Sequence, residues 1–325
     1  MVPYIDMHCD TLMKAFMQKK NDLYNMDGMV DIERLIKGNC MAQFFAIFMP
    51  PKGMGSRAGI TMPTDEEYIE GCVTAFRDTI SAHPDVFAQA NNIDDINKNF
   101  AAKKVSGILT LEDGRAVEGS FENLERFFDM GIRLISFTWN FANCFGFPNS
   151  PDKDEMAKGL TEFGKEAVER MNEMGMLVDV SHLSDGGFWD VVDITKKPFV
   201  ASHSNCRTLN PHPRSMTDDM IRAMADKGGV MGINFCPQFL TADIKNNVST
   251  IQNLVDQIKC MVNVGGIDCA AVGTDLDGIG GTLEIGSADK MPLLFDALEG
   301  AGFTSDQIEK IAYKNTQRVI AETLK

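Results

Sequence analysis

The sequence predicts a (β/α)8 barrel, on three observations. Eight short apolar runs of strand length are spread along all 325 residues, at 4 to 8, 41 to 48, 106 to 111, 131 to 138, 175 to 181, 198 to 202, 229 to 235 and 269 to 274. Amphipathic helical patterns fill most of the intervals between them. No glycine-rich GxGxxG turn follows the first run, which weakens an open, dinucleotide-binding sheet as the competing architecture. No linker, repeat or low-complexity tract divides the chain, so 1 to 325 reads as one domain; barrels of ~250 residues with insertions are routinely single domains.

The helices have local signatures. Residues 64 to 81 open with Thr64 and Glu67 at the spacing of a capping box, then place Tyr68, Cys72, Phe76 and Ile80 on one stripe. Thr304 and Gln307 repeat the box before a last helix carrying Ile308, Ile311, Ala312 and Val319. Similar stripes occupy 120 to 130, 161 to 174, 217 to 227 and 250 to 264. Strand and helix in alternation imply parallel pairing through right-handed crossovers, and closing eight such strands leaves no edge exposed. The longest loops, 49 to 63 and 139 to 158, follow the second and fourth runs and would lie on one face, where they could cover a site.

Composition narrows the function. A formal net charge of -15 repels phosphate backbones and anionic lipid, and no Lys/Arg cluster reverses it locally, which argues against nucleic acid and membranes as partners. The eight cysteines, Cys9, Cys40, Cys72, Cys144, Cys206, Cys236, Cys260 and Cys269, form no CxxC pair and no regular framework, so free thiols are expected. Residues 1 to 12 lack a signal peptide's basic start and apolar core, and no apolar run approaches ~20 residues. A reducing, cytoplasmic setting is the expectation.

Ligand-type side chains fall where the apolar runs end, in the βα loops that form the active face of such barrels. The first run ends Ile5-Asp6-Met7-His8-Cys9-Asp10, and strand alternation would send His8 and Asp10 to one side and Cys9 to the other. The third ends Leu111-Glu112-Asp113-Gly114, the fifth Val180-Ser181-His182, the sixth Ser202-His203-Ser204 and the eighth Gly273-Thr274-Asp275-Leu276-Asp277-Gly278. One HxD is a weak signal, but three of the chain's five histidines occupy such ends, which points to divalent metal ions, zinc by donor type. Of the other two, His83 suits a helix C-terminus facing the dipole, and His212, between Pro211 and Pro213, suits a solvated loop within reach of substrate. Two cations need a shared anion, which barrel hydrolases take from a carboxylated lysine or a glutamate. The fourth run holds no lysine, so Glu112 is the bridge, with His8 and Asp10 on one metal and His182 and His203 on the other. Such a pair would lower the pKa of a bridging water until hydroxide is available near neutral pH.

DMHCDTL at 6 to 12, LEDG at 111 to 114, DVSHLSD at 179 to 185, ASHSNCR at 201 to 207 and GTDLDG at 273 to 278, in that order, resemble the membrane (renal) dipeptidase family. The resemblance runs from residue 4 to about residue 320. It implies a dinuclear zinc peptidase of TIM-barrel fold whose substrates are dipeptides, with a D-residue often tolerated at the second position. It also implies that Asp275 handles the proton of the attacking water and contacts the substrate amine. Arg214, eleven positions after His203, resembles the arginine that pairs with the substrate's terminal carboxylate, a task its planar fork suits; Arg207 on the same loop is its rival.

The chain departs from the family where better-known members carry a histidine, just after the fourth strand, that stabilises the tetrahedral intermediate. Here stand Phe137-Thr138-Trp139-Asn140. The Trp139 indole can donate one hydrogen bond, and Asn140 or Asn143 could supply a donor to the oxyanion. Phe239 replaces a pocket tyrosine, and the family's membrane attachment does not carry over, since neither a secretory nor an anchor signal is visible. Apolar loops such as 141 to 148 suit a homodimer contact or a pocket lid. The reading is therefore a metallo-dipeptidase using a bridging hydroxide. Its rivals are hydrolysis of another amide, a lactam or a lactone, and a metal-binding barrel that holds a small ligand without turnover because Trp139 replaces the histidine.

Overall fold

A computed structural model describes residues 1–51, 62–243 and 245–325, so most of the expected loop at 49 to 63 lies outside the described residues. The strands in chain order are β1 (Tyr4–Cys9), β2 (Cys40–Phe48), β3 (Phe87–Gln89), β4 (Val105–Glu112), β5 (Ile132–Ser136), β6 (Leu177–Asp179), β7 (Val200–Ser204), β8 (Val230–Ile233), β9 (Val248–Ser249), β10 (Ala270–Val272) and β11 (Thr282–Leu283). Hydrogen bonding runs β2-β1-β10-β8-β7-β6-β5-β4, all parallel, and β2 returns to β4 from Ala42↔Ser106 to Phe48↔Glu112, which closes the barrel. Each of the eight expected runs overlaps one barrel strand.

The short strands were not anticipated. β3 takes the edge of β4 at Val105, Ser106 and Gly107, below the stretch that pairs with β5. Gly107 permits this: a Cβ there would stand 2.5 Å from the Phe76 ring and 2.6 Å from that of Phe87. Outside the barrel, β9 pairs with β11.

The helices follow their signatures. Asp65–Ala82 carries the full Thr64–Glu67 capping box and buries Tyr68, Cys72 and Phe76. Ser305–Glu309 opens with the Thr304–Gln307 box and continues through a π-turn, Lys310–Lys314, into Asn315–Thr323.

Alternation along the strands divides the apolar side chains into two cores. Phe45, Ile47, Leu109, Leu111, Ile135 and Val178 join the surrounding helices in the larger one. The smaller draws on every barrel strand, through Ile5, Met7, Phe44, Ile108, Leu134, Leu177, Val200, Val230 and Ala271, and is joined by Val319 and Ile320 of the last helix. That inner core fills part of the barrel and leaves the C-terminal strand ends to polar side chains.

Candidate active site

The strand ends that carry the candidate ligands converge on one face. Glu112 closes β4, and its two oxygens are divided. Oε2 lies 3.4 Å from His8 Nε2, while Oε1 lies 3.2 Å from His182 Nε2 and 3.5 Å from His203 Nε2. The imidazoles of His182 and His203 approach to 3.1 Å between Nε2 atoms, and the rings of His8 and His203 stack with centroids 3.8 Å apart. Asp10 Oδ2 stands 3.6 Å and Asp275 Oδ1 3.8 Å from His8 Nε2.

His8 and Asp10 meet by a route other than simple alternation. The β1–β2 register shifts between Asp6 and Cys9, and Asp10 lies past the strand at φ −99°, ψ 26°, heading the helix Thr11–Gln18. β6 ends at Asp179 rather than at His182, because the chain turns there to place His182 at φ 68°. Asp275 likewise leaves β10 at φ 63°. Left-handed backbone at non-glycine residues costs of order 1 kcal/mol each, and here it aims two side chains into the site.

Beneath the imidazoles lies a polar layer that was not singled out from the sequence. Asp179 Oδ1 accepts the backbone N–H groups of Ser181 (2.9 Å) and Ser202 (2.8 Å), and Oδ2 accepts the hydroxyls of Ser136 and Ser202. Ser202 Oγ in turn lies 2.7 Å from His203 Nδ1. Asn234 donates to Asp275 Oδ2 at 2.8 Å. Gly278 is equally specific: a Cβ there would stand 1.9 Å from Asp10 Oδ2 and 2.8 Å from Asp275 Oδ1. These partners lie on different strands or across a turn, so only their individual residue types were visible beforehand.

The electrostatics are those of carboxylates and imidazoles buried side by side. Burial pushes Asp275 up to about 7 and Asp10 up to about 6. Burial also lowers His182 to about 4, helped by Arg214, and holds His203 well down with the charge of His8. Burial opposes charge on His8 as well, yet Glu112 and Asp10 hold its imidazole well above the usual value. Both nitrogens of His8, Asp10 Oδ1 and His182 Nδ1 are buried without a hydrogen-bond partner.

This donor set fits divalent cations. Three groups, His8–Asp10–Glu112, Glu112–His182–His203 and His8–His203–Asp275, each hold their ligand atoms within 4.8 Å of one another. Ligands ~2.1 Å from a tetrahedral zinc lie ~3.4 Å apart; the separations here, 3.1 to 3.8 Å, bracket that edge. With the imidazoles neutral, lone pairs facing one another at such distances repel, and a cation between them would offset that.

A cavity of about 1240 Å³ opens over this floor, and Trp139, Asn140, Arg214 and Asp275 all line it. Arg214 is buried and donates to Ser204 Oγ and to the His203 carbonyl, both at 2.8 Å, with its Nε unpartnered. Its rival Arg207 is engaged elsewhere, in a bidentate pair with Asp185 at 2.7 Å. Asn143 is not free to serve an oxyanion, since its amide N–H groups go to Asp113 and the Phe137 carbonyl, both at 2.7 Å. His212 is a pocket residue rather than a solvated one: it lines the cavity against Phe239, with ring centroids 5.0 Å apart. His83 caps its helix as expected and also pairs with Asp22 at 3.0 Å. In the 141 to 148 loop, Phe141 lines the cavity and Phe145 is fully buried.

Comparison with known proteins gives the same picture over the whole chain. A model of the membrane dipeptidase family (peptidase family M19) matches residues 1–325. An uncharacterized protein of Klebsiella pneumoniae, from the region 5′ of pqqA, is 35% identical over 233 residues, covering 70% of this chain and 85% of its own length. An uncharacterized dipeptidase of Schizosaccharomyces pombe is 28% identical over 331 residues, covering 98% of this chain and 80% of its own length. Among solved structures, a metallopeptidase of Rhodobacter sphaeroides liganded with a phosphinate mimic of the dipeptide L-Ala-D-Ala superposes with a TM-score of 0.89 at 24% identity, covering 99% of both chains.

Proposed function

The chain belongs to the membrane dipeptidase family, peptidase family M19, and is a metal-dependent dipeptidase; from that premise we propose that it cleaves dipeptides, L,D pairs included, at a dinuclear centre held by His8, Asp10, Glu112, His182 and His203. The observation that carries this reading is the division of Glu112, one oxygen toward His8 and the other toward the His182–His203 pair. Three imidazoles with carboxylates favour zinc among divalent metals. Bound there, two cations would supply Lewis acidity, bringing water to a nucleophilic state near neutral pH and offsetting charge on the carbonyl oxygen.

The remaining steps fall to the chain's own side chains. Arg214 receives the substrate's terminal carboxylate with the N–H groups left over from its bonds to Ser204 and His203. Asp275, fixed by Asn234, faces the amine, takes the proton of the attacking water on its carboxylate and returns it to the leaving nitrogen. Trp139 and Asn140 line the cavity, the Trp139 ring 6.3 Å from that of His182, and offer N–H donors to the carbonyl oxygen in place of a histidine. The Rhodobacter neighbour's L-Ala-D-Ala mimic supports the L,D part of the substrate range. All eight cysteines are unpaired, which supports a reducing compartment such as the cytoplasm. No helix among the described residues is long and apolar enough to cross a membrane.

The test is metal analysis coupled to a dipeptide library of L,L and L,D pairs. The expected result is two equivalents of zinc and release of free amino acids. Two equivalents of metal with no turnover of any dipeptide would favour the ligand-binding barrel instead.

A further inference from the structure

One wall of the cavity is aromatic, and apart from the Trp139 indole N–H the metal and dipeptide reading does not use it. Phe48 ends β2 in register with Glu112, so its ring starts one strand from the floor. Trp139 packs edge-on against it at 5.0 Å between centroids and lies 6.3 Å from the His182 ring. Phe141 continues the wall at 6.1 Å from Trp139 and is 57% exposed, among the most exposed large apolar side chains described. Met13 and Met17 of the helix Thr11–Gln18 also line the cavity and can adapt to a variable shape. At about 1240 Å³ the space exceeds the ~300–1,000 Å³ typical of small-ligand sites, and far exceeds what two alanines fill. Among the described residues, no carboxylate beyond Asp10, Glu112 and Asp275 lines it, so these residues give a cationic substrate side chain on this wall no counter-ion of its own in exchange for water.

We propose that Phe48, Trp139 and Phe141 form the specificity wall of this enzyme and that its preferred substrates are dipeptides carrying one bulky apolar side chain, aromatic or branched aliphatic. The inference rests on the dipeptidase reading above. Ring-on-ring contact and burial give such a substrate its advantage over a small one, and they replace water on Phe141.

The test compares kcat/KM of the zinc-loaded protein for Phe-Ala, Ala-Phe, Lys-Ala, Ala-Lys and Ala-Ala. One of the two phenylalanine dipeptides should exceed Ala-Ala about 10-fold or more, largely through KM, and exceed its lysine counterpart likewise. Phe141→Ala and Trp139→Ala should each shrink the phenylalanine-to-alanine ratio roughly 3- to 10-fold. A second arm measures inhibition constants of non-hydrolysable phosphinate mimics of the same dipeptides. If no dipeptide is cleaved but the phenylalanine mimic binds more tightly and loses that margin in both variants, the wall stands and the dipeptidase reading fails. If Ala-Ala or a lysine dipeptide is the best substrate, or if both variants keep the wild-type ratio in both arms, the wall is overturned while the dipeptidase reading stands on its own turnover.

Discussion

Ser202 Oγ bridges the Asp179 carboxylate and His203 Nδ1, 2.7 Å from the ring nitrogen, and this decides which nitrogen of His203 faces the site. The hydroxyl has one proton. Ser202 gives it to Asp179 Oδ2, one of four donors to that carboxylate, and so accepts from His203 Nδ1–H. The lone pair of His203 is left on Nε2, toward Glu112.

Ser202→Ala should therefore release the ring. Loss of such an outer partner typically costs 10–100-fold in metal affinity, and about that much is expected for the ion proposed at His182 and His203. Metal titration calorimetry on dialysed protein measures it, and ¹⁵N shifts of His203 report the tautomer. Unchanged affinity with an unchanged tautomer would show that Ser202 has no such role.

Glu112→Gln keeps the shape of the side chain and removes the charge shared by three imidazoles. Dipeptide hydrolysis should vanish and metal content fall below two equivalents, while circular dichroism stays native. A fully active variant would reject the bridging assignment.

Gly278→Ala places a methyl group 1.9 Å from Asp10 Oδ2 and 2.8 Å from Asp275 Oδ1. Both carboxylates must move, and misplacement by ~1 Å can cost about 10²-fold in rate. The expected result is a kcat lower by about that factor, together with weaker binding of the metal proposed at His8 and Asp10. A kcat equal to wild type would mean that neither carboxylate depends on its present position.

Arg214 and Arg207 separate by measurement. Arg214→Ala should raise KM for dipeptides about 10- to 100-fold, the worth of a charge-assisted hydrogen bond or two, and should spare ligands lacking a terminal carboxylate. Arg207→Ala should leave KM alone and cost about 1 kcal/mol of stability, since it breaks the partly exposed pair with Asp185. The opposite pattern would exchange their roles.

Chelation should destabilise the fold as well as stop the reaction. A cation at 100 times its dissociation constant adds ~2.7 kcal/mol, so stripping it should lower the unfolding midpoint by ~5 °C, and zinc should restore it. Carboxylates such as Asp10 and Asp275, which burial already pushes up to about 6 and about 7, would otherwise repel one another.

What the sequence determined by itself was local in origin. The eight apolar runs, the Thr64–Glu67 and Thr304–Gln307 boxes and the polar residues at run ends each depend on neighbours a few positions away, and parallel closure follows once strands and helices alternate. The meeting of His8, Asp10, Glu112, His182 and His203 was legible for the same reason: a barrel delivers every strand's C-terminal end to one face. Other features depended on contacts between remote strands or on backbone angles. The shift in β1 that brings Asp10 beside His8, the left-handed turn at His182 and the engagement of Arg207 by Asp185 and of Asn143 by Asp113 are of this kind. So are the clasp of Asp179 and Ser202 under His203, and the wall that Trp139 makes with Phe48. Residue type alone does not say which partner a side chain meets; only closure of the barrel does.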